Sequence, residues 1–506
     1  MVNSIEQIIN QGSSIEVAIN NLNDLFENAA QENQINDIPG IESLMELKGY
    51  GYDWRIQIFI DSFLLSKSNS YNALNRIMGI MENNAEIDAE SYIFIYWQLM
   101  SKLFGMPELR EKLGLRFNQL YENIYNFFNA NFSKDVWIPL QNRNSGLVVV
   151  ITNQFLTKNH APTKITIDYC EMLLNQMGKN VILINTADMP REMATPYFDG
   201  KKYTYFEQYN QPNILDEHNF TFYQFKASMP SISEMNYIFE MIKEVRPECV
   251  LSIGGSNLTA DLCSNYVPVI TIPCTMEFPI TMGTFSVLFR KTKESDYKML
   301  KYLEDREQQL VESELAYTAF STGKKLFREE WGLTESDLSI VIVGNRLVED
   351  LSVDFLEGLD SLLARKPKIK ILIVGDIERS HFQSFNTLSE NIIFMGYQND
   401  LSALYSICDI YLNPPRIGGG TSAAYALYEG VPVISYPIGD VSHVLGGANL
   451  INSLEELDNY IDHWIISEEF RLQERKKAKD RAGEIFDPNA VFARMMDKVR
   501  NDPKFL

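Results

Sequence analysis

The stretch DIYLNPPRIGGGTSAAYALYEGVPVISYP, Asp409–Pro437, carries the pattern that decides the fold. An apolar run ends at Asn413 and a proline- and glycine-rich turn follows. Thr421-Ser422 then opens a run of small residues that stops at Gly430, and Val431-Pro432-Val433 begins a second apolar run. This order reads strand, turn, helix, strand. Runs that are apolar throughout, rather than alternating, are buried on both faces and belong to a parallel sheet covered by helices. Glycines let main chain approach a ligand closely, and the unbonded amides and positive dipole at a helix start attract an anion such as a diphosphate. Gly418, Gly419, Gly420, Thr421 and Ser422 are therefore candidate ligand-binding residues, the two hydroxyls as additional donors. The alternative is an ordinary strand-to-helix turn in which glycine is merely permitted.

The same texture extends outward from this stretch. Upstream lie SIVIVGN, IKILIVGD and NIIFMGY, which complete one series of strands. A separate series starts with LVVVITNQ at Leu147 and continues through VILINT, FTFYQF, CVLSIGG, VPVITI and TFSVLF. The charged stretch from about 294 to 335 reads as a helical connection between them. Before Asn131 the segments WRIQIFIDSFLLSK and AESYIFIYWQLMSKLFG place apolar residues at three- and four-residue steps, predicting an all-helical module without a fixed repeat. From about Ser453 the chain is again helical and polar. The expected organisation is a helical domain over 1–140, a Rossmann-like domain with connecting helix over 141–330, and a second Rossmann-like domain with C-terminal helices over 331–506. The fold class is α/β, with two tandem Rossmann-like domains in the GT-B arrangement and an added helical domain. Such tandem sheets bring their carboxyl ends around one cleft, where ligands of these sheets bind.

Bulk properties narrow the function. A net charge of −22 over 506 residues argues against general affinity for nucleic acid or anionic membrane, so any phosphate site must be local. The five cysteines are widely spaced, without a CxxC pair or a companion histidine, so neither a disulfide framework nor a metal site is expected. The sequence shows no signal peptide and no long apolar run, which predicts a cytoplasmic protein without a transmembrane segment.

Further candidates stand at the ends of strands. Gly344-Asn345-Arg346-Leu347 follows SIVIV, and an arginine there can stabilise negative charge on a leaving diphosphate; a solvated loop arginine is the alternative. His160 precedes Ala161-Pro162-Thr163 and can act as a base, orient an acceptor, or simply begin a helix. Glu277, in PCTMEFPITMG, is a candidate base in an apolar loop, against the alternative of an exposed glutamate. Gly254-Gly255-Ser256-Asn257 either cradles a ligand or makes a tight turn. Asp440 and His443, in YPIGDVSHVLGG, follow the last strand and can approach the ligand.

The order of Gly396-Tyr397, the strand DIYLNPP, the GGTS turn and Gly-Val-Pro-Val resembles the donor half of GT-B glycosyltransferases. Within these, Gly420-Thr421-Ser422 resembles family 41, which includes O-GlcNAc transferase and the bacterial glucosyltransferases of adhesins. The resemblance implies that the hydroxyl pair holds the pyrophosphate of a UDP-sugar, with Asn345, Tyr397 and Asp440 around the donor. Asn345-Arg346-Leu347 and His160 to Thr163 resemble catalytic segments of the same family. Where that family has an aspartate for ribose, this chain carries Tyr425; where it has a lysine for the diphosphate, the chain carries Glu349 and Asp350. The paired glutamates of retaining families are replaced by Ile417 and Tyr425, which leans towards inversion. The expected function is transfer of a sugar from a nucleotide diphosphate sugar to a protein or glycan acceptor, with no metal and no other cofactor. The alternatives are a non-catalytic subunit or chaperone of a glycosylation or secretion complex, and a nucleotide-sugar epimerase. The helical domain is expected to meet the acceptor, a partner subunit or a second copy.

Overall fold

The computed structural model describes residues 1–12, 14–31, 37–48, 51–104, 106–132, 137–157, 160–188, 197, 221–225, 230–318 and 323–506. Helices from Val2–Asn10 to Arg116–Asn129 build the N-terminal module. Strands β1 (Asn144–Thr152), β2 (Asn180–Asn185), β3 (Thr221–Gln224), β4 (Pro247–Ile253), β5 (Val269–Ile272), β6 (Phe285–Leu288) and β7 (Gln309–Glu312) form a parallel sheet in the order β3-β2-β1-β4-β5-β6-β7. Strands β8 (Leu338–Val343), β9 (Ile369–Val374), β10 (Ile392–Gly396), β11 (Ile410–Asn413) and β12 (Val433–Ser435) form the other, in the order β10-β9-β8-β11-β12. In both sheets the order reverses beside the first strand, and that switch point opens a crevice at the carboxyl ends.

The continuous apolar runs have the predicted cause. Along β1, Val149 and Ile151 pack with Leu99, Leu120 and Phe128 of the helical module, while Val148 and Val150 pack with Cys170 and Leu173 of helix Ala161–Asn175. Along β8, Val341 and Val343 meet Ala423 and Leu427, and Ile340 and Ile342 meet Phe355 and Leu359. Alternate residues thus enter opposite apolar layers, and the buried Ser339 on β8 is accommodated by hydrogen bonds to the carbonyl of Ile407 and to Asp409.

The helical module is fused to the first sheet rather than tethered to it. Buried Tyr121 donates to Asp261 Oδ2 at 2.7 Å, and the hydroxyls of Tyr96 and Ser256 lie 2.6 Å apart. The side chain of Asn257 accepts from the amide of Ala260 and caps helix Leu258–Leu262. Gly254–Asn257 is therefore a tight turn taken up in this interface.

Two features depart from the sequence expectation. The stretch over 294–335 is not one helix: after helix Tyr297–Asp305 it contains the edge strand β7, then an extended connector. The final helix, Pro488–Arg500, leaves the second Rossmann-like domain and packs on the first sheet through Phe492, Met495, Met496 and Val499. Arg143, just before β1, fixes that return by donating to the carbonyls of Phe505 (2.6 Å) and Leu506 (3.2 Å). Residues 488–506 thus belong with the other body from the one the sequence grouping gave them. No helix among the described residues is long and apolar enough to cross a membrane.

Candidate active site

The turn after β11 is wrapped around its own arginine. Arg416 is buried, and its guanidinium donates from Nε to Asn413 Oδ1 (2.8 Å), from Nη2 to the carbonyl of Val343 (2.6 Å) and from Nη1 to Asp350 Oδ2 (3.2 Å). Planar donors on several sides hold the turn against the ends of β8 and β11 at once. Gly419 caps the following helix with φ 105°, and a Cβ there would stand 2.6 Å from Arg416 Nη2, so both conformation and space demand glycine. Asp350, an acid where the family pattern has a lysine, neutralises this buried arginine. Arg416 is accordingly unavailable as a substitute for that lysine.

Helix Gly420–Glu429 has no side-chain cap, which leaves its leading amides without a side-chain partner at the positive end of the helix. The hydroxyl pair divides. Ser422 turns inward: its Oγ donates to the carbonyl of Gly419 (3.0 Å) and lies 2.9 Å from the hydroxyl of Tyr411. Thr421 is exposed. Thr421→Ala is expected to weaken binding of a nucleoside diphosphate by about 1–1.5 kcal/mol without altering stability. Ser422→Ala is expected to lower stability by about 1 kcal/mol through the loosened turn. Calorimetric titration and thermal melts of the two variants separate these effects, and identical behaviour would contradict the division.

Among the described residues, Arg346 is the cation left over the turn. It begins the short helix Leu347–Asp350, and its Nη2 lies 3.8 Å from where a Cβ on Gly418 would stand. Its guanidinium is 5.1 Å from the ring centroid of Phe104, the last residue of helix Ala89–Phe104, and 4.0 Å from Asp350. The helical module therefore reaches the second domain at this arginine. Asn345 beside it is exposed, as is Tyr397 at the end of β10.

The loop after β12 closes on the same turn. Gly439 packs against the main chain of Arg416 and Ile417, and the amide of Asp440 donates to the carbonyl of Ile417 at 2.6 Å. Asp440 Oδ1 accepts a long bond, 3.5 Å, from the amide of Met276 in the first domain. Burial pushes the Asp440 carboxyl up to about 6, and the negative charge of Glu277 adds to the rise.

On the first-domain side, His160 begins helix Ala161–Asn175, half-buried, with Nδ1 3.2 Å from Thr163 Oγ1; burial lowers its pKa. One turn later Lys164 reaches across to Tyr425, Nζ to hydroxyl 3.4 Å, and lies over its ring at 5.6 Å. Tyr425 donates to the carbonyl of Thr318 (2.9 Å) and is core, which explains an aromatic where the family has a ribose-binding acid. Glu277 is not in an apolar pocket: its side chain is 58% exposed and 3.9 Å from Arg290. Burial, with help from Lys293 and Arg290, pushes His443 down to about 4. The folded protein therefore keeps His443 neutral while the unfolded chain takes up a proton near 6.5, and this stability contribution, present above pH 6.5, is lost as pH falls to about 4. In His443→Gln the decline of stability over that window is expected to be shallower, read from urea titrations at stepped pH; an unchanged decline would refute it.

Sequence reasoning missed Phe104, Lys164 and Tyr317 at the cleft. Lys164 alone carried a signal, standing four residues after His160 and so on the same helix face. Among the described residues, no three His, Cys, Asp or Glu side chains come together in a group that could hold a metal ion.

The family described as Glycosyl transferases group 1 matches residues 337–463, the segment containing β8 to β12 and both loops of the site. Among solved structures, a point mutant of the Thermobaculum terrenum O-GlcNAc transferase is similar along nearly the whole length, with 11% identity, 99% of this chain and 96% of that chain covered, and a TM-score of 0.55. The glycosyltransferase from Rickettsia africae covers 71% of this chain and 98% of its own, at 15% identity and a TM-score of 0.52. The N-terminal domain of Candida albicans trehalose-6-phosphate phosphatase covers 72% and 99%, at 12% identity and a TM-score of 0.50. No curated protein matches the sequence. The likeness to these structures is one of fold, and the family match falls on the half that carries the glycine turn. Residues 337–463 thus match the group 1 glycosyltransferase family, and the chain as a whole, with this domain set against a second Rossmann-like domain, has the GT-B fold.

Proposed function

We propose that this enzyme transfers a hexose from a UDP-sugar to a hydroxyl or amide of a protein or glycan, releasing UDP, without a metal ion and with inversion at the anomeric carbon. The observation that carries the reading is the uncapped helix start at Gly420, braced from below by Arg416 and flanked by Arg346. In this reading main-chain amides and the Thr421 hydroxyl bind the diphosphate, and Arg346 stabilises the charge that builds on it as the glycosidic bond breaks. That supplies positive charge of the kind a metal ion otherwise brings. His160, at the start of the helix that follows β1, is the candidate to accept the acceptor's proton, its neutral form being favoured by burial. The helical module, fused beside the cleft, is assigned to the acceptor. The name of the Thermobaculum terrenum protein, an O-GlcNAc transferase, supports N-acetylglucosamine as the first sugar to try.

The test incubates the full chain with UDP- and GDP-sugars and candidate acceptors, with and without EDTA, and measures nucleotide release and product anomer. UDP release that requires acceptor and persists in EDTA is expected. Loss of turnover in EDTA restored by Mn²⁺ would reject metal independence, conversion of the donor without acceptor would mark an epimerase, and failure to bind any nucleotide would reject the donor site itself.

A further inference from the structure

Tyr317 lies on the connector after β7, where the chain passes between the two sheets. Its amide donates to the carbonyl of Ile485 at 2.9 Å, and its ring packs 5.8 Å from that of Phe486. The side chain is only 7% exposed, yet its hydroxyl has no hydrogen-bond partner among the described residues. A phenylalanine would pack there as well and would spare the fold an unmet donor. The hydroxyl points at the helix start of the glycine turn, 3.3 Å from where a Cβ on Gly420 would stand. Asp440 Cβ is 3.1 Å from the same point, and its carboxylate holds the long bond from Met276. A donor without an acceptor and an acceptor with a weak donor thus stand side by side at the edge of the anion site.

We infer that Tyr317 and Asp440 form the subsite for the transferred sugar, which deepens the donor reading above and rests on it. The chemistry selects the ligand group. A phosphate oxygen only accepts and is repelled by Asp440, whereas a sugar hydroxyl accepts from Tyr317 and donates to Asp440. The ligand hydroxyl takes the place at Asp440 now held by the amide of Met276, so sugar binding loosens one contact between the domains as it forms.

The experiment titrates the full chain with UDP and with the UDP derivatives of glucose, galactose and their N-acetylated forms, for wild type, Tyr317→Phe and Asp440→Asn. Tyr317→Phe is expected to weaken the preferred UDP-sugar about 5–10-fold, to leave UDP affinity unchanged, and to melt no lower than wild type. Asp440→Asn is expected to weaken the UDP-sugar selectively in the same way. A Tyr317→Phe protein that binds UDP and every UDP-sugar as wild type does, or loses both equally, overturns the subsite. A wild-type protein that binds neither overturns the donor reading instead, so the two failures are distinguishable.

Discussion

Replacing Arg346 with alanine is expected to lower kcat by about 10²–10³-fold, the loss seen when a single group aimed at developing negative charge is removed. The expectation follows from arithmetic of charge at the turn. Two arginines come near the glycines, but Arg416 is neutralised by Asp350 and its donors are committed to Asn413 and Val343. Arg346 touches no carboxylate closer than 4.0 Å among the described residues and leans on the ring of Phe104. It is 38% exposed, so its truncation leaves no buried group unpaired and the fold is expected to stay intact. The measurement is turnover at saturating donor, with UDP affinity and melting temperature as controls. A fall in donor affinity with kcat preserved would move Arg346 from stabilising the reaction to plain binding.

The second large effect is structural. Arg416→Met is expected to cost about 3–5 kcal/mol, because it strips the partner from a largely buried carboxylate, Asp350. It also leaves the side chain of Asn413 and the carbonyl of Val343 without their donor. The double variant Arg416→Met with Asp350→Leu removes both charges and is expected to recover much of that loss. Urea unfolding of both proteins tests this, and a double variant no more stable than the single one would show that the remaining bonds, not the charge pair, hold the turn. The two arginines thus differ in kind although only one residue type is involved: one builds the turn, and the other, in the proposed reaction, serves what binds there.

That difference was not legible in the chain. Arg346 and Arg416 each stand just beyond a strand, and only the packing of Gly344 and Gly419 against Arg416 shows which of them is enclosed. The fold was readable because strands buried on two faces cannot hide their apolar runs, and β4 and β8 are buried along their whole length. Strand β7 escaped because it is a four-residue edge strand, with three residues half-buried, whose two apolar residues, Leu310 and Val311, lie within a charged stretch. The last helix was legible as a helix, but amphipathicity names a buried face without naming the sheet it covers. Tyr317 escaped for a different reason: in the sequence it is one tyrosine on a connector, and its meaning lies in a missing partner.

The return of the last helix to the first sheet means that the polypeptide passes between the two Rossmann-like bodies twice, once along the connector and once after Ile485. The bond from the amide of Tyr317 to the carbonyl of Ile485 places these passages side by side. Lying side by side, the pair makes one strip joining the two bodies, not two separate tethers. Rotation about such a strip displaces each atom in proportion to its distance from it, so the groups beside it, Tyr317 and the start of the helix at Gly420, barely move. Any opening of the cleft about that strip would keep Tyr317 and the helix start at Gly420 together.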